Sequence, residues 1–158
     1  MSGEVERVHA TAIAIGGRVA LIRGASGSGK SDLAFRCLGL PLSPIVRDKV
    51  LLVSDDQVVL KQEGSFLHAS APAQLRGKLE VRGIGILEVD AVGEGNVVLV
   101  VDLVRDGAIE RFPDPWQFAH ILGLDVPLIR LSPFESSSPL KLVAAIDMAP
   151  QPRVQPKA

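Results

Sequence analysis

The chain is poor in cysteine, in net charge and in long apolar runs, with one cysteine among 158 residues and 17 basic residues against 18 acidic ones, for a net charge of -1. The lone Cys37 excludes an internal disulfide, which suits a reducing cytoplasm, and its place on the apolar face of a predicted helix favours a core role over a reactive one. Balanced charge without a run of one sign leaves no electrostatic footprint, so neither nucleic acid nor an anionic membrane is expected as a partner. The N-terminal "MSGEVERVHA" lacks the apolar core of a signal peptide, and no stretch approaches the roughly eighteen residues of a membrane span. The expectation is a soluble cytoplasmic protein of one domain, since 158 residues fall short of the usual length for two.

What the chain does have is "GASGSGKSD", Gly24 to Asp32. It fits G-x-x-x-x-G-K-[ST] with Gly24, Gly29, Lys30 and Ser31 in the fixed places, and Ala25, Ser26, Gly27 and Ser28 between them. Glycines let such a loop curl so that successive backbone N–H groups face phosphate oxygens, at the positive end of the following helix. Lys30 would bridge the terminal phosphates and Ser31 Oγ would ligate Mg²⁺. Context supports the reading: "RVALIR" before the loop has the look of a buried strand, and Leu33, Ala34, Cys37 and Leu38 after it share one helical face.

Further β-type runs are "HATAIAI", "KVLLVS" and "NVVLVVDLV", with a fifth, "LEVRGIGILEV", interrupted by glycines. "DPWQFAHILGL" (114–124) is predicted to be a helix with Asp114 as N-cap and Pro115 in the first turn, and "SPLKLVAAIDMA" a last helix or strand. Many strands with few helices predict an α/β fold, a single P-loop domain with a mixed sheet around the P-loop helix. "PQPRVQPKA" is expected to be an unanchored tail, which puts the domain at 1–148 and a flexible tail at 149–158.

Two apolar strands end in carboxylates, "VLLVSDDQV" at Asp55 and Asp56 and "VVLVVD" at Asp102. In the first, neighbouring residues point to opposite faces, so one aspartate can face the phosphates while the other anchors a neighbour. The facing carboxylate could accept the proton of an attacking hydroxyl. Spacing alone does not choose between the two strands. "KLEVRGIGILEV" sets Glu80 and Arg82 beside Gly83 and Gly85, either as metal and phosphate contacts at a close backbone approach or as a bulged edge strand. His9, His68, His120 and Arg111 cannot be ranked on first principles.

Taken in order, "HATAIAIGGRVALIRGASGSGKSDLAF", "LLVSDDQV" and "LEVRGIGILEV" resemble the catalytic domain of HPr kinase/phosphorylase from about His9 to about Met148. The Asp-Asp strand followed by E-[IV]-R-G-[LI]-G-I is specific to that family. The resemblance implies a nucleotide site like that of phosphoenolpyruvate carboxykinases, with ATP and Mg²⁺ used to phosphorylate a serine of HPr, the phosphocarrier of the sugar phosphotransferase system. It also implies Asp56 as general base in preference to Asp102, Asp55 beside it in support, and His9 as the histidine behind Asp56. Lys30 would then hold phosphates, Ser31 and Glu80 would hold Mg²⁺, and Arg111 of "IERFPDP" would be the active-site arginine, with Glu80, Arg82, Gly83 and Gly85 as the signature. A homo-oligomer, hexameric by resemblance, follows.

Three departures accompany the resemblance. The chain begins almost at the catalytic domain, like a short form of the family; "CLGLPLSPIVRD" is longer than the usual link; and "LSPFESSSP" stands where the family carries the arginine-containing P-x-R-P-G-R loop tied to dephosphorylation. Without that cation, inorganic phosphate loses its counter-charge as a nucleophile, so the expectation is kinase activity with weak or absent phosphorylase activity. The alternatives are an ATP-sensing regulatory module without turnover and a P-loop kinase for a small molecule.

Overall fold

A computed structural model of the chain describes residues 4–105 and 109–156. Among the described residues twelve strands and two α-helices follow in the order β1 (Val5–Val8), β2 (Thr11–Ile15), β3 (Arg18–Arg23), α1 (Lys30–Leu38), β4 (Leu51–Ser54), β5 (Val58–Glu63), β6 (Phe66–Ser70), β7 (Lys78–Val81), β8 (Gly85–Glu88), β9 (Glu94–Leu103), β10 (Gln117–Ile121), β11 (Leu124–Leu131), α2 (Ser138–Met148) and β12 (Arg153–Val154). The fold is mixed α/β, with ten of the strands in one sheet whose main path runs β1-β5-β6-β9-β3-β2-β4. β3 lies parallel to β9, and β9 parallel to β11, while β2 runs antiparallel to both β3 and β4.

The central strands are apolar on both faces because both are covered. Ile13, Ile15, Ala20 and Ile22 face α1 and α2, packing with Leu33, Cys37, Leu142 and Ile146. Their neighbours Ala12, Ala14, Val19 and Leu21 face the other way onto Leu60, Leu67, Leu124 and Val126. Cys37 is fully buried, and burial pushes its thiol up to about 12. Among the described residues no helix is long and apolar enough to cross a membrane.

Three local expectations are corrected. The helix predicted over 114–124 is the strand β10, with Ala119 and Ile121 buried in alternation. It turns into β11 through Leu122 and Gly123, both at positive φ (47° and 81°), as a two-residue hairpin requires. "LEVRGIGILEV" is not one interrupted strand but the hairpin β7–β8, a separate two-stranded sheet with Gly83 (φ 94°) in its turn. The segment 149–158, expected to hang free, is tied down as far as Gln155. There β12 pairs with β11, Gln155 N–H donates to Gly123 O at 2.9 Å, and Arg153 reaches Asp125 at 3.4 Å while stacking on Phe118. Asp125 is buried, and a hydrogen bond from His120 holds its carboxyl below the usual range.

Candidate active site

The phosphate-type loop joins the end of β3 to the start of α1. Two of its glycines are required by the shape of the loop. A Cβ on Gly24 would meet Ser28 Oγ at 2.4 Å, and Gly29 opens α1 at φ 103° with Pro133 3.1 Å from where its Cβ would be. The loop is therefore folded tightly on itself and against the segment before α2. Lys30 is 6% exposed, and its Nζ donates to the carbonyls of Gly24 and Ala25 at 2.7 and 3.1 Å. Burial lowers the pKa of this amine, and the charges of Asp56 and Asp55 oppose that shift in part. An arriving anion would complete the compensation, since it favours the charged amine that burial disfavours.

The two aspartates after β4 face different surroundings. Asp55 is buried and accepts three hydrogen bonds: from Thr11 Oγ1 (2.9 Å) and Ser31 Oγ (2.6 Å) on Oδ1, and from Glu80 N–H (3.2 Å) on Oδ2. It thus ties together β2, α1 and β7. Asp56 adopts φ 70°, a left-handed conformation that Asp tolerates better than most residues. Its carboxylate is 59% exposed and lies 3.3 Å from His9 Nδ1, a residue of the β1–β2 turn.

A cleft of about 680 Å³ opens over this group, lined among others by His9, Thr11, Ser26, Gly27, Lys30, Ser31, Asp56, Glu80 and Arg82. Of the sites expected from sequence, the structure brings His9, Lys30, Ser31, Asp56, Glu80 and Arg82 to this one space. The donor set fits a divalent cation. Ser31 commits its proton to Asp55, leaving its lone pairs for a metal, and the exposed Glu80 carboxylate stands on the backbone that Asp55 holds. Asp102, the rival carboxylate, is held bidentately by Arg23 at 2.7 and 3.0 Å and does not line the cleft. Arg111 is exposed on the segment before β10 and is not brought to the cleft. His68 pairs with Glu94 at 3.2 Å, and His120 with Asp125, both away from it.

Sequence reasoning missed Thr11, although a lone hydroxyl inside "HATAIAI" is a signal, because a buried polar group in an apolar strand needs a partner. It also missed Arg36, whose guanidinium donates to Asp32 at 3.0 Å, to Glu135 O at 3.1 Å and to Pro133 O, and so fastens the 132–137 segment to α1.

Residues 2–149 match the family described as HPr Serine kinase C-terminal domain. The chain is 34% identical over 134 residues to the HPr kinase/phosphorylase of Cupriavidus necator, covering 78% of this chain and 39% of that protein. It is 30% identical over 136 residues to that of Mycoplasma mycoides, covering 78% and 41%. The chain therefore spans about two fifths of the length of these curated relatives. Among solved structures it resembles "Structure of the Hpr(Ser) kinase/phosphatase from Coxiella burnetii", with a TM-score of 0.73, 28% identity, and coverage of 90% of this chain and 95% of that one.

Proposed function

The chain belongs to the HPr serine kinase C-terminal domain family, and from that premise we propose that it transfers the terminal phosphoryl group of ATP to a serine of HPr in the cytoplasm. The observation that carries the reading is the division of labour between the paired aspartates. One is buried and holds the loop serine; the other is exposed in the cleft with a histidine behind it. Phosphoryl transfer asks chiefly for positioning and charge neutralisation, which this chain supplies from three sides.

The acceptor hydroxyl enters the cleft beside Asp56, whose carboxylate takes its proton as the oxygen attacks. His9 orients that carboxylate through their 3.3 Å contact. Lys30 gives up its carbonyl partners for phosphate oxygens, and the backbone N–H groups from Ser26 to Ser31 cradle the rest. Ser31 and Glu80 would hold Mg²⁺, which when bound neutralises charge on the phosphates. Arg111 is assigned an active-site role by resemblance alone, and reaching the cleft requires the segment before β10 to move.

The dephosphorylation arm is proposed to be weak. Two cations beside "LSPFESSSP" are engaged: Arg36 holds the carbonyls of Pro133 and Glu135, and Lys141 pairs with Glu135 at 2.6 Å. Neither is free as the counter-charge for inorganic phosphate. Efficient phosphate-dependent dephosphorylation of serine-phosphorylated HPr would sink this part. The kinase part is tested with Asp56→Asn, which keeps a side chain suited to positive φ but removes the base. Transfer to HPr should fall by about 10²- to 10⁴-fold, with ATP affinity within about twofold of the parent. Equal loss of both would move Asp56 out of the base role.

A further inference from the structure

Thr11 lies at the floor of the Asp56 cleft, with no exposed surface of its own. We propose that it is a positioning residue for the divalent cation: acting through Asp55, its hydroxyl keeps the Ser31 oxygen and the Glu80 backbone in register for one metal. The inference rests on the kinase reading and deepens it.

Thr11 stands in β2 beside Ala10, Ala12 and Ile13, all fully buried. Valine, with the same branching at Cβ, would serve the packing there. A hydroxyl in such surroundings is costly unless it is bonded, and strand register decides what it bonds to. The pairing of β2 with β4 reaches Ala12 and Ser54, so Thr11 and Asp55 are the next residues on the two strands. Thr11 Oγ1 donates to Asp55 Oδ1 at 2.9 Å. Two residues before Thr11 is His9, the neighbour of Asp56. The stretch from His9 to Thr11 therefore touches both aspartates, the exposed one through an imidazole and the buried one through a hydroxyl.

Asp55 carries the effect to the metal ligands. Its Oδ1 accepts from both Thr11 and Ser31, and its Oδ2 from Glu80 N–H. An aspartate carboxylate turns readily about its last torsion, whose wells are broad, so the three donors from β2, α1 and β7 are what fix its plane. With the plane fixed, the Ser31 proton stays committed to Asp55 at 2.6 Å and the lone pairs of that hydroxyl remain for a cation. The other carboxylate oxygen holds the backbone on which Glu80 stands. Without the Thr11 hydroxyl, Oδ1 keeps a single donor. The carboxylate can then swing, and the Ser31 proton, having lost its fixed acceptor, can turn toward the cation it should leave clear. Both metal ligands are disturbed by the loss of one hydroxyl that neither of them contacts.

The test is titration calorimetry of tripolyphosphate, with Mg²⁺ and without it in EDTA, on the parent protein, Thr11→Val and Thr11→Ser. The metal-free anion reads the phosphate loop and Lys30, and the gain in affinity on adding Mg²⁺ reads the metal ligands. In Thr11→Val that gain should fall about tenfold or more, the range for partners one step behind metal ligands, with metal-free affinity within about twofold of the parent. In Thr11→Ser, which keeps the hydroxyl and loses the methyl, the gain should stay within about threefold of the parent. A role in packing alone would do the reverse, harming the serine variant more than the valine. Should Thr11→Val fail to fold, Thr11→Cys, with a weak thiol donor in place of the hydroxyl, makes the same comparison and should also lose gain relative to Thr11→Ser. An unchanged gain in Thr11→Val, or equal losses in the valine and serine variants, would overturn the inference while leaving phosphate binding and the kinase reading in place. So would a loss of metal-free binding as large as the loss with Mg²⁺, which would make the hydroxyl a support of the loop. A parent that binds the anion equally with and without Mg²⁺ would leave no metal site to position and overturn it as well. No binding by the parent under either condition would overturn the inference and the kinase reading together.

Discussion

Replacing Asp55 and Asp56 in turn by asparagine separates structure from chemistry at adjacent positions. Asp55 accepts three hydrogen bonds in a buried site, so an amide there must turn a donor toward at least one existing donor. The better orientation keeps the carbonyl on Glu80 N–H and sets the NH₂ against Thr11 and Ser31, whose hydroxyls must then rotate and seek new acceptors. Hydrogen bonds to a charged group contribute about 1.5–3 kcal/mol each, and a buried unsatisfied donor costs about 1–3 kcal/mol. With partial repair by rotation, a net loss of about 2–4 kcal/mol is expected for Asp55→Asn. At about 2–4 °C per kcal/mol for a chain of this size, the midpoint falls by about 4–16 °C. Asp56, 59% exposed and in contact with only a half-exposed histidine, should melt within about 1 °C of the parent as Asn, since exposed pairs contribute little. Thermal unfolding followed by circular dichroism reads both. Asp56→Asn melting below Asp55→Asn, or Asp55→Asn indistinguishable from the parent, would refute the assignment of the two roles.

Arg36→Ala frees the carbonyls of Pro133 and Glu135 and should lower stability by about 1–2 kcal/mol in urea titration, with increased protease cutting within 132–137. Cys37, with its thiol raised to about 12 by burial, should resist a thiol reagent at neutral pH and react only when the chain is unfolded in denaturant. Because burial depresses the Lys30 pKa and a bound anion favours the charged amine, tripolyphosphate affinity should fall as pH rises through that lowered value. Lys30→Met should bind weakly and show no such fall. Asp125 has a folded pKa below its unfolded value, so the stabilisation it gives is present above the unfolded value and is lost as pH falls through the folded one. Asp125→Asn should abolish that acid-side loss of stability, measured as the midpoint of unfolding against pH.

The phosphate loop was legible because its geometry is local: a Cβ on Gly24 would meet Ser28 within the loop, and Gly29 takes a positive φ at its end. The carboxylate pair was legible as a pair, but spacing could not separate Asp56 from Asp102. That choice depends on Arg23, 79 residues from Asp102 along the chain and its direct partner on the neighbouring strand. β10 was misread because Asp114 and Pro115 mimic a helix start, while the alternation of Ala119 and Ile121 spans too few residues to outweigh it. β11 went unread because Pro127 argues against a strand, yet it falls between the residues paired with β12 (124–125) and those paired with β9 (128–131), where no ladder partner is lost on that edge. The tail looked disordered by composition, and what ties it down lies in the β10–β11 hairpin: Phe118, Gly123, Leu124 and Asp125. The Asp102–Arg23 pair and the docking of β12 are decided by long-range contacts, β10 by its hairpin with the next strand.

The most direct measurement incubates the purified protein with Mg²⁺, ATP labelled in its terminal phosphate and HPr, beside HPr whose target serine is replaced by alanine. The account predicts label on the first and none on the second. Absence of label from both, with ATP still bound tightly, would contradict it and leave a nucleotide-sensing module in its place.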